Sequence, residues 1–323
     1  MSTSLAPAKH AVTAATAAFS PALDMAGRLK SIDIVRGAVM VLMALDHVRV
    51  FSGLPAGGPT PGIFFTRWVT HFCAPAFVFL AGTSAFFSGR KHDDLPRFLL
   101  TRGAWLVLLD LTVMRLSWTF NLDFADYLLA NVIWMIGWCM ILMALLVRLP
   151  VAVVGAIGIL IVAGHNLVDP DLPELAPAAS ESGLSWLWKI LYFGFNIGPI
   201  VPGAEGPEFH ILYSILPWIG VMAAGYAFGA VMAADPERRR RLCLAIGLSA
   251  IALFLVLRGF KLYGDPRPGG VATQGPPNGR PPMPAFLSFL NTTKYPASFS
   301  FLLMTLGPTI ALIPVLERAR GRI

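Results

Sequence analysis

Ionisable residues that could do chemistry lie inside the first apolar segment of the chain, Ser31–Phe51. Such side chains are costly in an apolar helix and usually face a cavity or a partner, yet this segment contains five of them: Asp33, Arg36, Asp46, His47 and Arg49. His47 follows Arg36 by eleven positions, so in a helix both share nearly one face, about 16 Å apart along the axis. An arginine that binds an anionic group and an imidazole that transfers a proton would suit this face. A structural Asp33–Arg36 ion pair and a core histidine are the alternative explanation.

A second histidine follows in the next apolar segment, where Arg67, His71 and Pro75 recur every four residues. They project from one face of a helix, and Pro75 cannot donate to the carbonyl of His71, which predicts a kink in that helix. The two segments run in opposite directions, so His71 is expected at a depth close to that of His47. The two imidazoles could handle protons as a pair, or be unrelated core histidines. No metal site is predicted, because the sequence offers no further ligands at this level.

One carboxylate, Asp110, lies in the middle of the third apolar segment. An isolated carboxylate in hydrocarbon is either neutral or paired. The sequence offers Arg36, Arg102 or a histidine as its partner and does not distinguish between them.

The composition indicates what kind of protein must position these residues. Of the 323 residues, 56% are hydrophobic and 13% are charged, and the mean hydropathy is +0.67. Soluble domains carry about 25% charged residues, so a soluble enzyme, a disordered chain and a small disulfide scaffold are excluded. The net charge of +7 fits the cytoplasmic excess of Lys and Arg in membrane proteins better than a nucleic-acid partner. The sequence predicts an all-α, polytopic transmembrane helix bundle in a lipid bilayer.

Hydropathy predicts eight spans, at residues 33–52, 68–88, 98–119, 127–148, 150–166, 210–233, 241–259 and 296–316. An even number places both termini in the cytoplasm, in agreement with the basic Arg238–Arg241 run and the basic end of the chain. Residues 1–27 are expected to form a flexible cytoplasmic tail, and 28–323 a single transmembrane domain. The apolar stretch Trp186–Pro202 is short and broken by Gly and Pro, which favours an interfacial or re-entrant segment. Several glycines within the spans are expected at helix-packing positions: Gly103, Gly137, Gly155, Gly220 and Gly225.

Four motifs resemble those of a known family. Near the start they are Arg28-Leu-Lys-Ser-Ile-Asp-Ile-Val-Arg-Gly37 and His71-Phe-Cys-Ala-Pro-Ala-Phe-Val-Phe-Leu-Ala-Gly-Thr-Ser84; near the end they are Phe289-Leu-Asn-Thr-Thr-Lys-Tyr-Pro296 and Leu303-Met-Thr-Leu-Gly-Pro308. The chain resembles the heparan-α-glucosaminide N-acetyltransferase-like family of membrane proteins, and its later motifs resemble the bacterial branch. Arg36 and His47 also resemble the Arg-x10-His pattern of the wider transmembrane acyltransferase group.

The resemblance implies transfer of an acetyl group from cytoplasmic acetyl-CoA to a sugar or glycan on the outer side of a bacterial inner membrane. By this analogy Arg36 helps to hold the donor and His47 is catalytic. Lysosomal members carry a catalytic histidine in the loop after the first span, but Phe51–Thr66 contains none; either His47 or His71 takes that role, or it is absent. The candidate catalytic residues are His47 and His71. The candidate substrate-binding residues are Arg36, Asp33, Arg67, Asp110, Asn291, Lys294 and Tyr295.

A transporter without catalytic activity is the alternative function, in which the same charged residues form a proton or solute path. The halves of the hydropathy pattern show no inverted repeat, which favours the acyltransferase. Release of a thiol from acyl-CoA by the purified protein would distinguish the two functions. A homo-oligomer is compatible with either.

Overall fold

The protein is described here by a computed structural model that covers residues 29–53, 60–168, 185–193, 195–199, 207–265 and 284–319. The predicted tail at 1–27, the last four residues and parts of the two long connections, after residues 168 and 265, lie outside the described residues. The described part is mainly helical, as the composition predicts.

Twelve α-helices are found in the described ranges: α1 Lys30–Phe51, α2 Pro61–Trp68, α3 Cys73–Gly89, α4 Leu95–Leu109, α5 Arg115–Thr119, α6 Val132–Leu146, α7 Val151–Gly164, α8 Ser185–Trp188, α9 Leu216–Met232, α10 Pro236–Gly259, α11 Ala285–Leu290 and α12 Phe299–Ala319. A 3-10 turn, Val69–Phe72, joins α2 to α3, and another, His165–Val168, continues α7. A π-helical turn, Asp110–Met114, joins α4 to α5, and Lys189–Phe193 forms another after α8.

Each predicted span overlaps a helical segment, and four segments are long and apolar enough to cross a membrane by themselves. These four are Pro61–Gly89, Val151–Val168, Pro236–Gly259 and Phe299–Arg318. The other candidates differ for identifiable reasons. The helix α1 carries five charged side chains, and the segment from α4 to α5 carries four, at Arg97, Arg102, Asp110 and Arg115. The helices α6 and α9 are only 15 and 17 residues long. Eight spans and cytoplasmic termini stay a prediction.

A small sheet accompanies the helices, which the all-α prediction does not include. Its strands are β1 Tyr127–Ala130, β2 Phe195–Pro199 and β3 Glu208–Ile211, in the order β1-β3-β2. β3 pairs with β1 in parallel and with β2 in antiparallel. The predicted span 127–148 therefore begins as a strand, and β2 lies in the stretch predicted to be interfacial or re-entrant. Hydropathy misses these strands because a short apolar run suits a strand as well as a helix.

Two helices begin with the same capping arrangement, at the end of the bundle predicted to be cytoplasmic. The Asp94 carboxylate accepts a hydrogen bond from Arg97 N–H (3.1 Å) at the start of α4. Asp235 accepts one from Arg238 N–H (3.0 Å) at the start of α10. Both helices also have a proline in the first turn. A carboxylate cap satisfies a free amide of the helix start, and an early proline has no N–H to satisfy, so these sequences set where α4 and α10 begin.

Close backbone contact between α3 and α9 forms the centre of the bundle. A Cβ added at Gly82 would clash with the Met222 carbonyl and lie 2.8 Å from Tyr226 N, and one added at Gly225 would clash with the Phe79 carbonyl. Thr83 Oγ1 donates to Gly225 O across the same contact (2.9 Å). Small residues allow such approach in membrane bundles. The predicted packing glycines of the other helices also lie against neighbouring helices: Gly103, Gly137, Gly155 and Gly220.

Candidate active site

Arg36 lies on the face of α1 that packs against α3. Its Nη2 donates to Leu80 O (3.2 Å) and to the hydroxyl of Ser84. Asp33 is half-buried one turn earlier on α1. A guanidinium presents its N–H donors in a rigid fork, so these bonds to α3 fix the direction in which Arg36 points.

His47 lies three turns further along α1 and is half-buried. Its Nδ1 is 2.6 Å from Met43 O. Because a carbonyl oxygen can only accept, the proton of a neutral ring sits on Nδ1, and Nε2 keeps its lone pair. The ring lies against the indole of Trp118, with centroids 4.9 Å apart and planes inclined by 33°. The geometry therefore presents Nε2 as the nitrogen that can accept a proton.

His71 lies in the 3-10 turn between α2 and α3 and is 5% exposed. Within the part of the chain that the structure describes, neither of its ring nitrogens has a hydrogen-bond partner. Its ring packs edge-on against Phe301, with centroids 5.5 Å apart. The α-helical pattern breaks one turn before Pro75, where the sequence predicts that the carbonyl of His71 loses its donor. A buried imidazole without partners is costly, and a functional role is one explanation for keeping such a group.

Three cations act electrostatically on the His71 ring, from different parts of the chain: Arg49 on α1, Arg67 on α2, and Lys294 after α11. Arg67 and Lys294 are among the substrate-binding residues predicted from the sequence, so the structure gathers two of these around one predicted catalytic residue. Asp46 supplies a negative charge beside them. Its carboxylate pairs with Arg49 Nη2 (2.9 Å) and accepts from Thr70 Oγ1 (3.1 Å).

Asp46 and Arg49 are functional candidates that sequence reasoning misses as site residues. The signal was available, since Asp46 directly precedes His47 and Arg49 lies two residues after it, within an apolar segment. We call Asp46, Arg49, Arg67, His71 and Lys294 the His71 cluster.

Two tyrosines adjoin Lys294. Its Nζ lies 5.2 Å from the ring centroid of Tyr295 and 5.8 Å from that of Tyr213. The two rings pack edge-to-face at 5.3 Å, and Tyr295 Oη is 3.4 Å from Tyr213 Oη. An ammonium over aromatic faces is held by cation–π attraction. Tyr213, between β3 and α9, has no sequence motif that marks it.

Asn291 takes part in a different arrangement, which holds the segment that carries Lys294. The backbone carbonyl of Asn291 accepts from Arg258 Nη2 (2.9 Å). Arg258 Nη1 forms a buried ion pair with Asp265 Oδ2 (2.6 Å), and Thr293 Oγ1 donates to Asp265 Oδ1 (2.7 Å). A buried guanidinium satisfied in this way fixes the backbone around it. This ion pair was not predicted from the sequence.

Asp110 has a partner that the sequence did not suggest. Its side chain is fully buried at the start of the π turn, and Oδ2 accepts from the N–H of Asn131 (2.6 Å), the residue that immediately precedes α6. Neither Arg36, Arg102 nor a histidine contacts it in the described ranges. A carboxylate is stabilised at a helix N-terminus by amide donors and the helix dipole, and hydropathy does not reveal that α6 starts beside this position.

No three His, Cys, Asp or Glu side chains in the described ranges approach closely enough to hold a metal ion. His47 and His71 have separate surroundings. His47 contacts its own helix and Trp118. His71 contacts Phe301 and lies near the charged members of the His71 cluster.

Comparison with known proteins identifies the family. The family model described as "Heparan-alpha-glucosaminide N-acetyltransferase, catalytic" matches residues 28–261. This range contains Arg36, His47 and His71, and it ends before the segment of Asn291, Lys294 and Tyr295. No curated protein matches the chain. The family match covers well over half of the sequence and confirms the resemblance of the two motifs that lie within it, near the start of the chain: the chain belongs to the heparan-α-glucosaminide N-acetyltransferase catalytic-domain family.

Proposed function

We propose that the protein transfers an acetyl group from cytoplasmic acetyl-CoA to a sugar or glycan acceptor on the opposite side of the membrane. The observation that carries this proposal is His47, whose Nδ1 is held by Met43 O and whose Nε2 can accept a proton (Nδ1–O 2.6 Å). Family membership supports acetyl transfer as the reaction. The donor, the acceptor and the residue roles are inferred.

Arg36 binds the donor in this proposal. Acetyl-CoA is rich in phosphate, and arginine recognises phosphate through paired, charge-assisted hydrogen bonds. The contacts of Arg36 to Leu80 O and Ser84 support such a role, because they hold the guanidinium in one direction. Asp33 lies beside it as a balancing charge. The thioester then reaches along α1 towards His47.

His47 acts as the general base. Nε2 removes the proton from the acceptor hydroxyl or amine while the acceptor oxygen or nitrogen attacks the thioester carbonyl carbon. The new C–O or C–N bond forms, the C–S bond breaks, and the CoA thiolate takes the proton back from the imidazolium. The products are the acetylated acceptor and CoA-SH.

The His71 cluster binds and orients the acceptor. A buried imidazole with both nitrogens available can donate and accept hydrogen bonds to a sugar. The rings of Tyr213 and Tyr295 adjoin Lys294, another member of the cluster. Stacking aromatics next to polar donors suit a sugar, which has both apolar and hydroxyl faces. His71 orients the acceptor or relays its proton.

The location is an inner (plasma) bacterial membrane, with eight spans, both termini cytoplasmic and residues 28–323 forming one domain. The distribution of basic residues supports this orientation, and it puts Arg36 towards the cytoplasm and the His71 cluster towards the outside.

The test is thiol release by purified protein in liposomes, with acetyl-CoA supplied to one face and a panel of amino and hydroxyl sugars to the other. We expect CoA-SH release that depends on an acceptor. Transport of a sugar or proton without any thiol release would support the transporter instead.

A further inference from the structure

The indole of Trp118 packs against two aromatic rings on one face of α1. Its indole lies 4.9 Å from the imidazole of His47 and stacks at 5.3 Å, nearly parallel at 12°, on the ring of Phe51. His47 and Phe51 are four residues apart, so they are neighbours on the helix surface. The indole comes from α5, at the end of the third predicted span, and forms a cover over this part of α1.

Among the residues that the structure describes, the imidazole of His47 has one further restraint, the bond from Nδ1 to Met43 O. That bond fixes the tautomer but holds the ring at a single atom. The indole packs against the face of the ring and limits its rotation about χ2. We propose that Trp118 is a positioning residue for acetyl transfer, which holds the His47 ring with Nε2 directed at the acceptor. This inference rests on the proposed function of His47.

The backbone around Trp118 is built to be rigid. Arg115, one turn before it, is fully buried. Its guanidinium donates to Tyr127 O (3.3 Å) and to the carbonyl oxygens of Asn121 and Asp123. A guanidinium that binds three carbonyls fixes the turn after α5 and connects α5 to strand β1.

The π turn at Asp110–Met114 sets the direction in which α5 presents its side chains. Such a turn holds one residue more than an α-helical turn, so it rotates the residues that follow by about 100°. The buried carboxylate of Asp110 anchors this turn to Asn131 N–H (2.6 Å). Two buried charged residues, neither of which touches His47, thereby determine where the indole of Trp118 lies.

The kinetic test compares Trp118→Ala, Trp118→Phe and the control Trp105→Ala. Trp105 lies on α4 in the same predicted span and is 58% exposed. Displacement of a catalytic group by about 1 Å costs of the order of 10²-fold. We expect Trp118→Ala to lower kcat by about that factor with KM for acetyl-CoA unchanged, and Trp118→Phe to restore most of it, because phenylalanine keeps a ring face against His47.

Fluorescence tests the contact without reference to activity. A protonated imidazole in contact with an indole quenches its emission by accepting an electron from the excited state, and this quenching falls off steeply with distance. The emission of Trp118 is obtained as the difference between wild type and Trp118→Phe, since the chain has eight tryptophans. We expect this difference to be larger in the His47→Gln background, where it is measured between His47→Gln and the double variant His47→Gln/Trp118→Phe, because glutamine removes the imidazole that quenches the indole.

The two measurements separate this inference from the proposed function. Trp118→Ala with wild-type kcat, or emission that does not depend on His47, would overturn the positioning role. Full activity of His47→Gln together with His47-dependent quenching would overturn the proposed function and leave the contact in place. An equal loss of kcat in Trp105→Ala and in Trp118→Ala would also overturn the positioning role of Trp118. Both substitutions would then act through the stability of the predicted span rather than through His47.

Discussion

Leucine in place of His71 removes two polar ring nitrogens from an enclosed position and keeps a similar volume. His71 is 5% exposed, and neither nitrogen has a hydrogen-bond partner among the residues that the structure describes. Leaving a buried polar group without a partner costs about 1–3 kcal/mol. His71→Leu should therefore raise the free energy of unfolding by roughly that amount, because it removes the cost and adds no cavity.

His165 offers a matched control. It is 3% exposed, and its nitrogens lie 3.0 Å from Ile161 O and 2.8 Å from Ala297 O. His165→Leu removes a hydrogen-bonding ring between two carbonyls, which should lower the free energy of unfolding by about 1–3 kcal/mol. Two buried histidines with the same substitution are thus expected to shift stability in opposite directions.

The assay is thermal unfolding in one detergent, combined with the rate of acetyl transfer. His71→Leu should melt at a higher temperature than wild type. Its transfer rate should fall by at least about tenfold, which is a smaller loss than the 10²-fold or more expected when the general base, His47, is removed. A melting temperature lowered as far as that of His165→Leu would refute the reasoning, since His71 would then have a structural role. A fully active His71→Leu protein would remove His71 from the site.

Three further changes test other parts of the site and fold. Arg36→Ala should raise KM for acetyl-CoA by about tenfold or more, the scale of a charge-assisted hydrogen bond; an unchanged KM with lower stability would mark Arg36 as structural. Gly82→Ala should destabilise the protein by about 1–3 kcal/mol or more, because backbone of α9 occupies the space that the new methyl group needs. Gly37→Ala should be tolerated, because a Cβ added there meets no atom of a neighbouring described element within 4 Å. Equal melting temperatures of the two variants would contradict this packing. Asp110→Ala should lower the free energy of unfolding by about 1–3 kcal/mol, because Asn131 N–H loses its acceptor. Asp110→Asn keeps an acceptor oxygen and should recover part of the lost stability. An alanine variant more stable than the asparagine variant would contradict the role of Asp110 as the acceptor for this amide.

The sequence predicts features that depend on local chemistry. The break at His71 follows from Pro75, which lacks a donor whatever the rest of the fold does. The helical segments follow from apolar runs, and the close packing at Gly103 and Gly137 follows from the absence of side chains.

Features that depend on contacts between distant segments were not predictable in the same way. Asp110 is bonded to a backbone amide, and that amide is available only because a strand ends and α6 begins at Asn131. The contact of Trp118 with His47 requires the π turn to set the direction of α5, which no periodicity shows. Asp46 was visible in the sequence, but its link to Thr70 joins two helices whose relative rotation hydropathy does not fix.

The central claim is that His47 is the general base, and His92 provides the control that tests it most directly. Both rings have Nδ1 near the carbonyl four residues earlier, at 2.6 Å for His47 and 3.0 Å for His92. Both lie against an aromatic ring, at 4.9 Å for His47 and at 4.6 Å, on Phe98, for His92. His92 is exposed in the connection between α3 and α4.

The measurement is kcat for acetyl transfer by His47→Gln and His92→Gln, each with its melting temperature. We expect His47→Gln to keep the wild-type melting temperature and to lose about 10²-fold or more in kcat, while His92→Gln keeps both. A folded His47→Gln protein that transfers acetyl groups at the wild-type rate would contradict the catalytic assignment.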